Sequence, residues 1–218
     1  MEIKIKVPNH LSEIPLHKYQ QFQKVLDVNQ DSGMSDIFIQ EKMLQIFCDL
    51  PLSDALKYRK GDIDNITNII TETLEQKPDL VRTFKIGDTE FGFIPKLEDM
   101  TFGEYIDLDN YIGDVKNLHK AMAVLYRPIK QKIKGKYLIH EYKGDDYHEA
   151  MLHTPMDAVI SSMVFFWHLG IELSTAMIAY LQVHHKEDLT EEQISALNGV
   201  GINLSMHLPM GMLPNLKA

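Results

Sequence analysis

Between Asp157 and Glu172 the chain runs for fourteen residues, Ala158 to Ile171, without a charged side chain. A membrane span wants roughly 18 or more apolar residues, and this stretch is shorter and carries Ser161, Ser162 and His168. It is therefore read as a helix buried by the rest of the protein. Thr154 followed by Pro155 marks its start, because proline costs nothing where the first helical amide has no partner. Val159, Ile160, Met163, Phe166, Leu173 and Met177 leave almost no polar face, so the helix is expected at the centre of the fold. Other segments must supply its covering.

The expected covering is helical. Leu16, Tyr19, Phe22, Val25 and Leu26 recur at three or four residues, the spacing of one helix face. Ser35 can cap a second helix that carries Ile37, Leu44, Phe47 and Cys48 inward and stops at Pro51. A short helix after Ser53 and a longer one after Asp62 follow, the latter with Ile63, Ile66, Ile69, Ile70 and Leu74 on one side and Pro78 beyond. Thr101 and Glu104 have capping-box spacing, Gly113 ends that helix, and Asp114 can cap the next, whose Val115, Leu118, Met122 and Leu125 face inward. Thr190 and Gln193 repeat the capping pattern.

Two segments change period. Ile3, Ile5 and Val7 alternate with Glu2, Lys4 and Lys6, which predicts a strand near residues 2–7; the same charges interrupt any secretory signal. Phe84 and Ile86, then Phe91 and Phe93, flank Gly87-Asp88 and predict a hairpin with strands near 82–86 and 90–94. The N-terminal strand is the expected third member, since an isolated hairpin is marginal in water. The fold class is thus mainly α with a small antiparallel sheet (α+β), a single domain over 1–198 and an extended arm over 199–218.

From Gln193 to Leu216 there is no Asp, Glu, Lys or Arg, while Gly199, Gly201, Pro209, Gly211 and Pro214 exclude one continuous helix. Leu204, Met206, Leu208, Met210, Met212 and Leu213 need burial on their own domain or on a neighbouring subunit, and they form the expected subunit interface.

Lys and Arg number 22 against 31 Asp and Glu, a net charge of −9 that argues against coating nucleic acid over the whole surface. Lys130, Lys132, Lys134 and Lys136 are the local exception, standing at every second position around Ile133 with Gly135 as a turn residue. In one extended chain the four ammonium groups share a side. Two readings stay open for them: contact with DNA phosphate or an acidic partner, or an exposed edge strand protected by charge.

Motifs for catalysis and metal binding fail on spacing. The lone cysteine, Cys48, excludes an internal disulfide and a Cys-rich zinc site, and beside Phe47 it reads as core. Asp27 to Gly33 starts like a calcium loop but places Ser32 where glycine and Phe38 where glutamate belong. Asp107 and Asp109 lead to Tyr111 and no glycine turn. His148 with His153 and His184 with His185 lack the i, i+4 zinc spacing, and His140-Glu141 leads to Gly144 where a second ligand would stand. Gly199-Val200-Gly201 lacks the third glycine of a dinucleotide loop. No catalytic, metal or cofactor-binding residue is assigned, and no cofactor is expected.

Glu90-Phe91-Gly92-Phe93-Ile94-Pro95, Met100 to Leu108 (MTFGEYIDL) and His119 to Pro128 (HKAMAVLYRP) resemble a segment of tailed-bacteriophage virion and assembly proteins, with similarity to those of crAss-like phages that infect Bacteroides. The resemblance implies a non-enzymatic structural protein of the virion, made in the bacterial host cytoplasm. An oligomeric ring subunit of the neck or tail, at the head-tail connector near the portal, is the first expectation. Its partners would be copies of itself and other phage structural proteins such as portal or tail components, with non-specific DNA phosphate contact and no membrane span. A tail-assembly chaperone not retained in the virion is the alternative, and an enzyme with dispersed active-site residues is the second.

Overall fold

The computed structural model describes residues 5–29 and 35–184. Four helices come first: α1 (Leu16–Asn29), α2 (Asp36–Phe47), the single turn α3 (Leu52–Ala55) and α4 (Lys60–Leu74). Ser35 caps α2 as its sequence position predicts, its side chain accepting from the Phe38 amide. Strands β1 (Thr83–Ile86) and β2 (Thr89–Phe93) form the hairpin expected around Gly87-Asp88. Gly87 has φ +57° at the first position of the two-residue turn, a conformation that side chains resist.

Helices α5 (Phe102–Ile112) and α6 (Leu118–Leu125) follow, separated by a 3-10 turn that Asp114 caps through the Lys116 amide. The chain then passes without a loop into β3 (Tyr126–Ile133), turns at Lys134-Gly135 and returns as β4 (Lys136–Ile139). A single turn, α7 (His148–Met151), precedes α8 (Met156–His184).

The strands form one antiparallel sheet in the order β1-β2-β3-β4. The fold is mainly helical with this four-stranded sheet, the α+β class that the sequence predicts. No helix among the described residues is long and apolar enough to cross a membrane.

The third strand differs from expectation. Residues 5–7 lie outside the sheet, and residues 1–4 lie outside the described set, so the neighbour of β2 is β3 instead. The residues that follow, 8–11, are tied to the end of α4 and to Gln76 just beyond it. The Thr73 hydroxyl donates to the Pro8 carbonyl (3.3 Å), the Gln76 amide donates to the Asn9 carbonyl (3.0 Å), and the Leu11 amide donates back to Gln76 (3.3 Å).

One sheet face packs on α8. Phe84, Phe93 and Tyr126 form an aromatic cluster whose Phe93 ring reaches Phe165 and Phe166. Tyr126 is wholly buried, and its hydroxyl donates to the carbonyls of Val81 (2.7 Å) and Ala158 (3.3 Å). Desolvation raises the phenol's pKa, so the hydroxyl stays a donor at any physiological pH. Ser161 continues the link, accepting from the Val81 amide at 3.1 Å. Ala158, Val159, Ile160 and Met163 are buried, so the first half of the uncharged stretch lies in the core, as predicted, while His168 and Ile171 toward its end are exposed.

Candidate functional site

The opposite face of the sheet carries the polar constellation. Arg127 on β3 faces Gly92 on β2, so its side chain points away from the aromatic core. Its Nη1 stands 2.6 Å from Glu104 Oε1, and the side chains are only 9% and 4% exposed. Glu104 also closes the capping box of α5: its Oε2 accepts from the Thr101 amide at 2.6 Å, and its own amide donates to Thr101 Oγ1 at 3.3 Å. One carboxylate thus fixes a helix start and neutralises a buried guanidinium. Arg127 Nε is buried without a hydrogen-bond partner among the described residues.

Tyr137 on β4 holds the sheet edge in place. Its hydroxyl donates to the carbonyls of Phe93 (2.8 Å) and Arg82 (3.2 Å), and its ring lies over Gly92, where a Cβ would come within 2.6 Å of Cε2. Only glycine admits that approach. Burial raises the Tyr137 pKa against the nearby Arg82 charge, which keeps the donor protonated.

A cleft of about 780 Å³ follows β4. Its lining includes every residue from Gly135 to Glu141, together with Arg82, Ile94, Pro95, Lys96, Asp99 and Arg127. Arg82, Lys96 and Lys136 are exposed and form no ion pair among the described residues.

The lysines predicted as one row are divided by the turn. Lys130 and Lys132 lie on β3, Lys134 occupies the turn at φ +48°, and Lys136 opens β4 opposite Ile133. The two-residue turn with positive φ at Lys134 and at Gly135 (+77°) reverses the chain, and an irregularity between Ile129 and Gln131 shifts the alternation. A shared side for all four is therefore corrected. Lys132 is paired with Glu90 at 2.7 Å, and Lys136 alone of the four joins both cleft and strand β4. Leu204, Met206, Leu208, Met210, Met212 and Leu213 lie outside the described residues, as does the whole arm over 199–218.

Other singled-out groups have structural settings. Cys48 is buried and desolvation pushes its thiol up to about 11, so it packs as a small hydrophobe. The Asp107 carboxylate accepts from the Tyr142 hydroxyl at 2.8 Å. His153 meets His17 edge-on at 5.1 Å, and His148 meets His119 at 6.4 Å with Asp145 at 3.7 Å. Among the described residues no three metal-binding side chains converge. Arg82 and Tyr137 fall in no motif, and Arg127 stands only within the resembling segment His119 to Pro128; the pairing of Arg127 with Glu104 depends on a sheet register that spacing does not encode.

His119 offers a pH test. Burial holds its imidazole below the ordinary range, with the Lys120 and His148 charges adding to the effect and Glu149 and the Lys116 main chain opposing it. The Gln20 amide nitrogen stands 3.3 Å from Nδ1, a bond the neutral ring accepts. The unfolded chain therefore takes up this proton first as pH falls through the ordinary value of about 6.5. The contribution is full above that value and declines until the folded ring protonates as well. Urea titrations are expected to show stability falling as the pH drops through and below about 6.5, with His119→Gln flattening the slope. An unchanged slope in the variant refutes the assignment.

Exposed apolar side chains complete the surface. Phe102, Tyr105 and Ile106 on one face of α5 are 78%, 57% and 42% exposed, and Ile133 and Leu138 at the end of the β3-β4 hairpin are 52% and 56% exposed. The sequence matches no family model, no curated protein and no solved structure.

Proposed function

We propose that this chain is a non-enzymatic structural subunit of a tailed-phage particle, an oligomeric ring component of the neck or tail. The observation that carries the reading is the α5 stripe of Phe102, Tyr105 and Ile106, three large apolar groups at i, i+3 and i+4 facing water. They fall inside the segment that resembles phage virion proteins, and covering their exposed apolar area is favourable at about 25 cal/mol per Å². Clusters of this kind on an otherwise charged surface mark protein contacts. The uncharged sequence from Gln193 to Leu216 supports the same reading, because its apolar residues also need cover.

The test is native mass by light scattering on the full chain, beside mass spectrometry of the purified particle. A closed oligomer present in the particle is expected. Phe102→Asp with Tyr105→Arg, or deletion of 199–218, is expected to reduce it to monomer while leaving the helical circular-dichroism signal. A monomer or dimer missing from the particle overturns the ring reading in favour of an assembly chaperone, and an oligomer indifferent to both changes removes these surfaces from it.

A further inference from the structure

We propose that the cleft along β4 binds an extended acidic peptide segment, which adds to the sheet as a fifth strand. The argument begins with the free edge. Among the described residues β4 pairs only with β3, and Ile133 opposite Lys136 closes the two-residue turn. That closing pair exchanges both of its hydrogen bonds, so the next pair, Lys132 and Tyr137, turns its peptide groups outward. His140 donates inward to the Pro128 carbonyl at 3.0 Å, which leaves Ile139 facing outward as well. Tyr137 and Ile139 thus offer alternate donors and acceptors to an incoming strand.

The second step is charge. Lysine on an edge strand is a common defence against mispairing, and Lys136 alone would fit that role. Defence does not require cations from elsewhere. Here Arg82 ahead of β1, Lys96 after β2 and Arg127 on β3 line the same cleft, against Asp99 and Glu141. Glu104 already neutralises Arg127, yet the three exposed cations still outnumber the two cleft carboxylates in a protein of net charge −9. A strand that carries carboxylates would set them against these cations. Tyr137 keeps the edge rigid, since its hydroxyl and ring tie β4 to β2. The site shares no lining residue with the α5 stripe and does not require the ring reading.

The test is fluorescence anisotropy on the full chain at about 0.15 M salt. The probe is a labelled, C-terminally amidated peptide of alternating glutamate and valine, about eight residues long to match a strand. Saturable binding is expected, at least about tenfold weaker when the peptide is N-methylated throughout, which keeps its charge but removes its main-chain donors. The double variant Arg82→Glu, Lys96→Glu is expected to weaken it by a similar factor. Hydrogen exchange at the Tyr137 and Ile139 amides is expected to slow on binding. No saturable binding, equal affinity for the N-methylated peptide, equal affinity for a lysine-valine peptide, or displacement by millimolar inorganic phosphate each overturns the proposal, the last in favour of a small-anion site. None of these outcomes depends on the native mass, so failure here leaves the assembly reading standing.

Discussion

Glu104→Ala is expected to destabilise the protein by about 3–5 kcal/mol, because it leaves the Arg127 guanidinium buried without its counter-charge. The Arg127 side chain is only 9% exposed, and its Nε already lacks a partner among the described residues. The same substitution opens the capping box, freeing the Thr101 amide, so part of the loss is helical. For a chain of this size the shift in Tm is roughly 6–20 °C. Two further variants separate the contributions. Glu104→Gln keeps the shape and an acceptor for Thr101 while removing the charge, so it isolates the ion pair. Replacing both residues, Glu104→Leu with Arg127→Met, is expected to recover most of the loss, since an apolar pair avoids desolvating two ions. Urea midpoints at constant m-value measure all three. A cost below about 1 kcal/mol for Glu104→Ala would place the pair among exposed ion pairs and refute its buried geometry.

That pair also shows where sequence reading stops. The Thr101 and Glu104 spacing predicts a capping box, and the box is present. Nothing in the spacing predicts that the same carboxylate meets Arg127, because that contact needs α5 laid against β3. Local chemistry was legible wherever the interaction closes within a few residues: the Ser35 cap, the Gly87-Asp88 turn, the uncharged centre of α8. Period alone failed where it had to choose a partner. Residues 2–7 alternate like a strand, yet the described residues 5–7 lie outside the sheet, and the Pro8 and Asn9 carbonyls that follow accept from Thr73 at the end of α4 and from Gln76 just beyond it. The lysines at 130, 132, 134 and 136 alternate too, but the turn at Lys134-Gly135 sends Lys136 back along the neighbouring strand. The cleft was invisible for the same reason: its cations come from segments around positions 82, 96, 127 and 136, brought together by the strand order.

Gly92→Ala carries the second large effect, and its sign is the informative part. In an ordinary strand alanine in place of glycine gains stability, about 0.5–1 kcal/mol, by restricting the unfolded chain. At position 92 the new methyl would meet Tyr137 Cε2 at 2.6 Å, Cδ2 at 2.9 Å and Ile129 Cγ1 at 3.1 Å. The ring cannot swing aside freely, because its hydroxyl is held by the Phe93 and Arg82 carbonyls. The expected result is a loss of about 1–3 kcal/mol, the cost of overpacking, with Gly92→Val at or above the upper end. In the background of Tyr137→Ala the methyl has room, so the two changes together are expected to cost less than their sum. Displacing Tyr137 also moves β4, so Gly92→Ala is expected to weaken the glutamate-valine peptide while leaving the exposed Arg82 and Lys96 in place. Stabilisation by Gly92→Ala in a urea titration would mean that the ring does not lie over this glycine, and with it the rigid edge on which strand addition depends would be lost.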